Sequence, residues 1–202
     1  MIDNTKRLRL MDFIKEYGIV FRHVVLSSNK ESDYYYDLKR VALHPYGAHL
    51  LADLLLEEIA KYSPKSVGGL ELGAVPLVTA IAIKSTMSGR SGVGIKSFIV
   101  RKNLKKHGLE KKIEGEIELP IVVVDDVITS GNSVLDAATA LTEEGLNVAH
   151  AVCVIDRKEY GITNVLKERH IKYSSLFTHL DFKSFIEERL RKNRHNQKIR
   201  SN

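Results

Sequence analysis

Two adjacent carboxylates, Asp125 and Asp126, follow four branched apolar residues in the run Ile121-Val122-Val123-Val124-Asp125-Asp126-Val127-Ile128-Thr129-Ser130-Gly131-Asn132-Ser133. The apolar residues read as a buried central strand with the acids at its C-terminal end. A hydroxyl-rich loop with one glycine then leads into a helix. Such a loop offers free backbone N–H groups and the positive end of the helix dipole, which suit a phosphate. Gly131 lets the backbone approach closely, and Thr129, Ser130 and Ser133 add hydroxyl donors. Carboxylates beside a phosphate site do not bind the phosphate. They suit sugar hydroxyls, a metal or a developing cation, and a ribose phosphate presents all three. Two other readings compete. In one the acids merely cap the following turn. In the other they form the acidic strand of a nucleotide hydrolase, which requires a G-x-x-x-x-G-K-[ST] loop that this chain lacks. A buried strand ending in two acids and running into a phosphate cradle is rare, which favours the ribose phosphate.

This segment resembles the phosphoribosyl-pyrophosphate (PRPP) binding motif of type I phosphoribosyltransferases. The resemblance implies that Asp125 and Asp126 contact the ribose hydroxyls. It places Val127, Ile128, Thr129, Ser130, Gly131, Asn132 and Ser133 around the ribose phosphate. It also implies Mg²⁺, bound mainly through the ribose hydroxyls and pyrophosphate near Asp125 and Asp126, with no protein side chain as a direct ligand.

A second stretch, Arg101-Lys102-Asn103-Leu104-Lys105-Lys106-His107-Gly108, follows directly after a strand. Its form, R-K-x-x-K-x-H-G, looks like the mobile catalytic loop of orotate phosphoribosyltransferases. Pyrophosphate leaves with several negative charges, and clustered Arg, Lys and His can neutralise them as they develop. A lid also excludes water that would hydrolyse the activated sugar. By resemblance Arg101, Lys102, Lys105 and His107 hold pyrophosphate, with Lys105 and His107 catalytic beside Asp125 and Asp126. A charge run by itself is usually a solvated loop; its place one strand ahead of the acidic motif argues for function.

Shorter segments point the same way. Ser32-Asp33-Tyr34-Tyr35-Tyr36-Asp37 resembles the N-terminal segment covering the orotate ring, with Tyr34 and Tyr35 as its aromatic neighbours. An ordinary aromatic strand would read the same. Leu72-Gly73-Ala74-Val75-Pro76 sits where the family has its pyrophosphate loop, and Asp156-Arg157-Lys158-Glu159 resembles its D-R-x-E segment. An arginine matches a carboxylate through paired hydrogen bonds. Orotate carries a carboxylate and uracil does not, so Arg157 is the expected specificity element, with Thr129 also at the base. Two departures stand out. Leu26-Ser27-Ser28-Asn29 replaces the usual L-K-S-G, with Lys30 as a nearby cation, and no lysine adjoins Gly73.

The implied reaction joins orotate and PRPP into orotidine monophosphate and pyrophosphate. The implied assembly is a homodimer whose basic loop crosses into the neighbouring site. Alternatives are a purine or uracil phosphoribosyltransferase, or a PRPP-sensing RNA-binding regulator on the same fold. The retained basic loop argues against the regulator. A bifunctional synthase would need a decarboxylase barrel, for which 202 residues leave no room. The other histidines fit no metal-ligand spacing.

The elements that must position these residues alternate. Helices are expected near Thr5–Tyr17, Pro45–Tyr62, Val75–Met87, Ser133–Glu144 and Asn164–Arg169, with a last one from Asp181. Strands are expected at Val24–Leu26 and Tyr34–Tyr36 around a polar turn, then at Val67–Leu72, Ile95–Val100, Ile121–Val124, Val148–Ile155 and Tyr173–Phe177. This predicts an α/β fold, a central parallel sheet flanked by helices. The resemblance adds a small N-terminal hood and a mobile loop. One phosphoribosyltransferase domain is expected over positions 1–188, with 1–45 as hood and 63–180 as core.

The formal net charge of +6 first suggests nucleic acid. The final fourteen residues, however, hold six Lys or Arg and no acid, while positions 1–188 hold 25 basic and 25 acidic residues. The body is neutral, nucleic acid is not expected as a partner, and 189–202 is expected to be a flexible basic tail. Cys153 is the one cysteine, which excludes a disulfide framework. Without a signal-peptide pattern or long apolar run, a cytoplasmic, membrane-free protein is expected.

Overall fold

The computed structural model describes residues 3–25, 31–87, 94–103, 111–158 and 166–200, with 196–200 described by backbone alone. Helix α1 (Asn4–Phe13) is capped by the Asp3 side chain, which accepts from Thr5 and Lys6 N–H. It widens into a π turn at Ile14–Gly18. Four two-residue strands follow: β1 (Ile19–Val20), β2 (Val24–Val25), β3 (Glu31–Ser32) and β4 (Tyr35–Tyr36). Both expected strand segments, near Val24 and Tyr35, are present, but they pair with other strands. Val24 pairs with Ser32, while Tyr36 pairs back to Ile19.

Helix α2 (Leu38–Ala42) leads to α3 (Pro45–Ile59), whose first turn holds the proline where its missing N–H costs nothing. Then come β5 (Ser66–Leu70), α4 (Ala74–Met87), β6 (Lys96–Val100), β7 (Ile113–Gly115), β8 (Ile121–Ile128), α5 (Asn132–Glu143), β9 (Val148–Asp156), β10 (Lys172–Thr178) and α6 (Lys183–Arg200). Of the helix expected from Asn164, residues 166–168 are helical and its start lies outside the described residues.

The main sheet has the order β10-β9-β8-β5-β6-β7, parallel except for β7 at the edge. That antiparallel strand was not foreseen. The central strands alternate between two cores. Val122 and Val124 pack with α1, α3 and α4 residues such as Leu10, Leu54 and Leu77. Ile121 and Val123 pack with Val134, Ala137 and Leu141 of α5. Cys153 is buried on the α5 side, and burial pushes its thiol well above the ordinary range.

The segment expected to be a flexible tail instead continues α6 through Arg200. It contains no glycine or proline, and Glu187–Arg191 (3.8 Å) and Glu188–Lys192 (2.5 Å) pair at helical spacing. No helix among the described residues is long and apolar enough to cross a membrane.

Candidate active site

The chain turns outward from β5 to β6, then returns to the other side of β5 as β8. Ligands bind at such reversals, beyond the C-terminal ends of the strands. Pairing of β8 with β5 ends at Gly68–Val123, whereas pairing with β9 runs on to Ile128–Asp156. The acids therefore do not follow the strand, as the sequence suggested. They lie within it, on an edge that β5 has already left. Glycine in β5 permits the close approach before that point: a Cβ on Gly69 would sit 2.2 Å from the Val124 carbonyl oxygen.

Successive residues point to opposite faces, so Asp125 shares the α5 side and Asp126 the other. The loop after β5 lies against Asp126, since a Cβ on Gly73 would come within 2.8 Å of its carboxyl. The Asp126 N–H donates to Asp125 Oδ1 at 3.1 Å, and the Val127 N–H donates to Asp126 Oδ1 at 2.8 Å. These bonds do not offset desolvation. Burial, followed by the neighbouring Asp126 charge, pushes the Asp125 carboxyl up to about 8. Burial also raises Asp126. Lys39 acts against both shifts, and Lys102 against that of Asp125. The pair is an acidic site built to meet hydroxyl donors or positive charge.

Beyond Ile128, the half-buried Thr129 and Ser130 lead to Gly131, whose φ of 85° is costly for a residue with a side chain. Gly131 is the N-cap of α5 and provides no side-chain hydrogen bond. The first-turn N–H groups of Asn132 and Ser133 therefore face the loop with the helix dipole behind them, a geometry that suits an anion.

Across this loop the Arg157 N–H donates to the Ile128 carbonyl at 3.1 Å, tying the end of β9 to the acidic strand. Arg157 is only 6% exposed. Its guanidinium lies over the rings of Tyr34 (5.5 Å) and Tyr36 (5.7 Å). Buried Asp156 fixes the turn beneath it. Its carboxylate accepts from the Lys158 N–H at 2.7 Å and the Tyr173 hydroxyl at 3.0 Å, and pairs with Lys158 Nζ at 2.8 Å. The resemblance put Tyr34 and Tyr35 beside the base; here the Tyr34 and Tyr36 rings flank Arg157, whereas the Tyr35 ring lies beneath Arg22, at 5.1 Å. The period of two within Tyr34-Tyr35-Tyr36 was the signal for this.

The basic segment starts at a fixed stem. Arg101 donates its N–H to the Lys112 carbonyl at 2.8 Å and pairs with Glu114 at 3.1 Å, while the Lys102 N–H donates to Glu71 at 3.0 Å. Lys105 and His107 lie outside the described residues, as do Leu26 to Lys30 and Glu159. A cavity of about 420 Å³ beside this stem is lined by Leu70, Arg101, Lys102, Asn103, Lys112, Asp136 and Thr139. It lies between the stem and α5, and Arg157 is not among the described residues that line it.

A mostly parallel sheet with an acidic strand at its reversal and a helix N-terminus beyond it is the setting of a phosphoribosyltransferase domain, and the phosphoribosyl transferase domain family matches residues 42–185. Orotate phosphoribosyltransferase of Corynebacterium glutamicum is 40% identical over 177 residues, covering 87% of this chain and 92% of the relative. That of Methanopyrus kandleri is 41% identical over 174 residues, covering 85% and 89%. The crystal structure of Mycobacterium tuberculosis orotate phosphoribosyltransferase in complex with PRPP is similar, with a TM-score of 0.69 and 28% identity over 89% of this chain and 93% of that one. The chain belongs to the orotate phosphoribosyltransferase family within the phosphoribosyltransferases.

Proposed function

We propose that this chain transfers the phosphoribosyl group of PRPP to orotate, giving orotidine monophosphate and pyrophosphate. The observation that carries the reading is the buried Arg157, stacked on Tyr34 and tied by its own N–H to the last residue of the acidic strand. It provides a carboxylate partner within one loop of a ribose-phosphate site.

The phosphate rests on the N–H groups at the start of α5, with Thr129, Ser130 and Ser133 around it. Asp125 and Asp126 accept from the ribose hydroxyls, and their charge favours the oxocarbenium-like transition state. Arg157 and Thr129 orient orotate, whose anionic ring nitrogen forms the new bond to the anomeric carbon as the bond to pyrophosphate breaks, with inversion. Orotate attacks as its anion, so no strong general base is required. Arg101, Lys102, Lys105 and His107 neutralise the departing pyrophosphate, and Lys105 or His107 delivers a proton or charge to it. Asp125 and Asp126 would be the nearby carboxylates of a Mg²⁺ held mainly by PRPP. When bound, Mg²⁺ supplies charge stabilisation to the pyrophosphate leaving group.

The working unit is a two-fold dimer in the cytoplasm, each basic loop serving the partner's site. Ile83 and Met87, exposed one turn apart on α4, with Leu72 just before that helix, offer apolar surface for the second copy. Mixing Asp125→Asn subunits with Lys105→Ala subunits should restore part of the activity; no recovery would sink the shared site. PRPP consumption measured separately with orotate, uracil, hypoxanthine and adenine tests the reaction itself. Turnover with orotate is expected, and turnover with one of the others in its place would overturn the assignment.

A further inference from the structure

We propose that His179, at the C-terminal end of β10, is a positioning residue for the base, holding the two tyrosines that in turn hold Arg157. The inference rests on the reading of Arg157 as the orotate partner.

Tyr34 and Tyr36 are not carried by the main sheet. Tyr36 belongs to the two-residue ribbon of β4 with β1, a unit too small to be rigid alone. Something on the sheet must fix where their rings stand. His179 Nδ1 lies 3.0 Å from the Tyr36 hydroxyl and 3.4 Å from that of Tyr34. Its ring stacks on Tyr34 at 6.0 Å with planes 14° apart, while Tyr36 meets it edge-on at 77°. One imidazole thus contacts both rings over which the Arg157 guanidinium lies.

His179 is itself held firmly. The Asp181 carboxylate accepts from the Thr178 N–H at 2.7 Å and from its hydroxyl at 3.0 Å, and pairs with Arg7 of α1 at 3.2 Å. Burial would raise the Asp181 carboxyl, but these partners hold it below the ordinary range. The Phe182 N–H closes the turn on the His179 carbonyl at 3.0 Å. His179 is a fixed post at the end of the sheet, and it meets the ribbon at both tyrosine hydroxyls, beside the packing of Tyr36 on Phe182. Losing the post frees the tyrosines and then the guanidinium they carry. The acid pair and the phosphate cradle are reached by other elements and should not notice.

The test is steady-state kinetics with PRPP and orotate for the wild type, His179→Phe, His179→Asn and Arg157→Gln. Phenylalanine keeps a flat ring without the nitrogen; asparagine restores a hydrogen-bonding oxygen. For His179→Phe the orotate KM should rise about five- to tenfold, the size of one lost hydrogen bond. Its kcat and PRPP KM should stay within about twofold, and His179→Asn should recover most of the loss. A merely structural residue would move both KM values together with the melting temperature, and asparagine would not rescue it; that pattern overturns the proposal. An unchanged orotate KM in His179→Phe, with Arg157→Gln impaired, overturns the role of His179 alone. A wild type that does not use orotate, or an Arg157→Gln enzyme that uses it normally, overturns the underlying reading as well.

Discussion

The two halves of the site are built in opposite ways. Asp125 and Asp126 are consecutive residues of one strand, and burial raises both carboxyls despite the opposing charge of Lys39. The surroundings of Arg157 come from three separate places in the chain: the end of β9, the segment holding Tyr34 and Tyr36, and His179. They are aromatic and hydrogen-bonded. On the proposed reading, the acid half meets its ligand's hydroxyls and positive charge only on binding. The arginine half is preorganised and spends little on binding, so it suits selection among bases.

The largest effect should come from Asp125→Asn or Asp126→Asn, each lowering kcat/KM by roughly 100- to 1000-fold, the usual scale for removing one charge-stabilising group. A loss that appears only in the orotate KM would break the division between halves. Gly131→Ala should be milder. A side chain at φ 85° strains the loop and crowds the cradle, so the PRPP KM should rise roughly tenfold with a stability loss of about 1 kcal/mol. Stability in urea and PRPP titration measure the two parts, and an unaffected PRPP KM would remove phosphate from this loop.

The smallest effect sharpens the contrast in the ligand-free protein. Asp125 has its carboxyl pushed up to about 8 from an ordinary value of 3.8. The folded state then binds a proton that the unfolded state has lost. The stabilisation is complete below about pH 4 and is lost as pH rises toward about 8. Asparagine does not titrate. The melting temperature of Asp125→Asn relative to wild type should therefore climb by a few degrees, roughly, between pH 5 and pH 8. A gap that is the same at both pH values would mean that Asp125 is already ionised in the free protein.

The acidic half was legible in the sequence because its signal is local: a branched apolar run, two acids, then hydroxyls and a glycine. The alternation of strands and helices was legible for the same reason. The strand nevertheless runs past its acids, because β9 continues to pair after β5 has stopped. The three-residue edge strand β7 hid behind Lys111 and Lys112, since antiparallel pairing at an edge needs no apolar run. Tyr36 could have been found from alternation. His179 could not, because only the return of the chain through β10 brings it to the tyrosines, 143 residues away from Tyr36. The helical continuation through Arg200 was masked by counting its charge and not its helix-forming composition.

The central claim is that the acid pair holds the sugar while Arg157 chooses the base. Steady-state kinetics of Arg157→Gln test it most directly. The account predicts that kcat/KM for orotate falls about 100-fold or more, the scale of a paired, charge-assisted contact, while the KM for PRPP stays within about twofold. Equal losses for both substrates, or undiminished use of orotate, would contradict it.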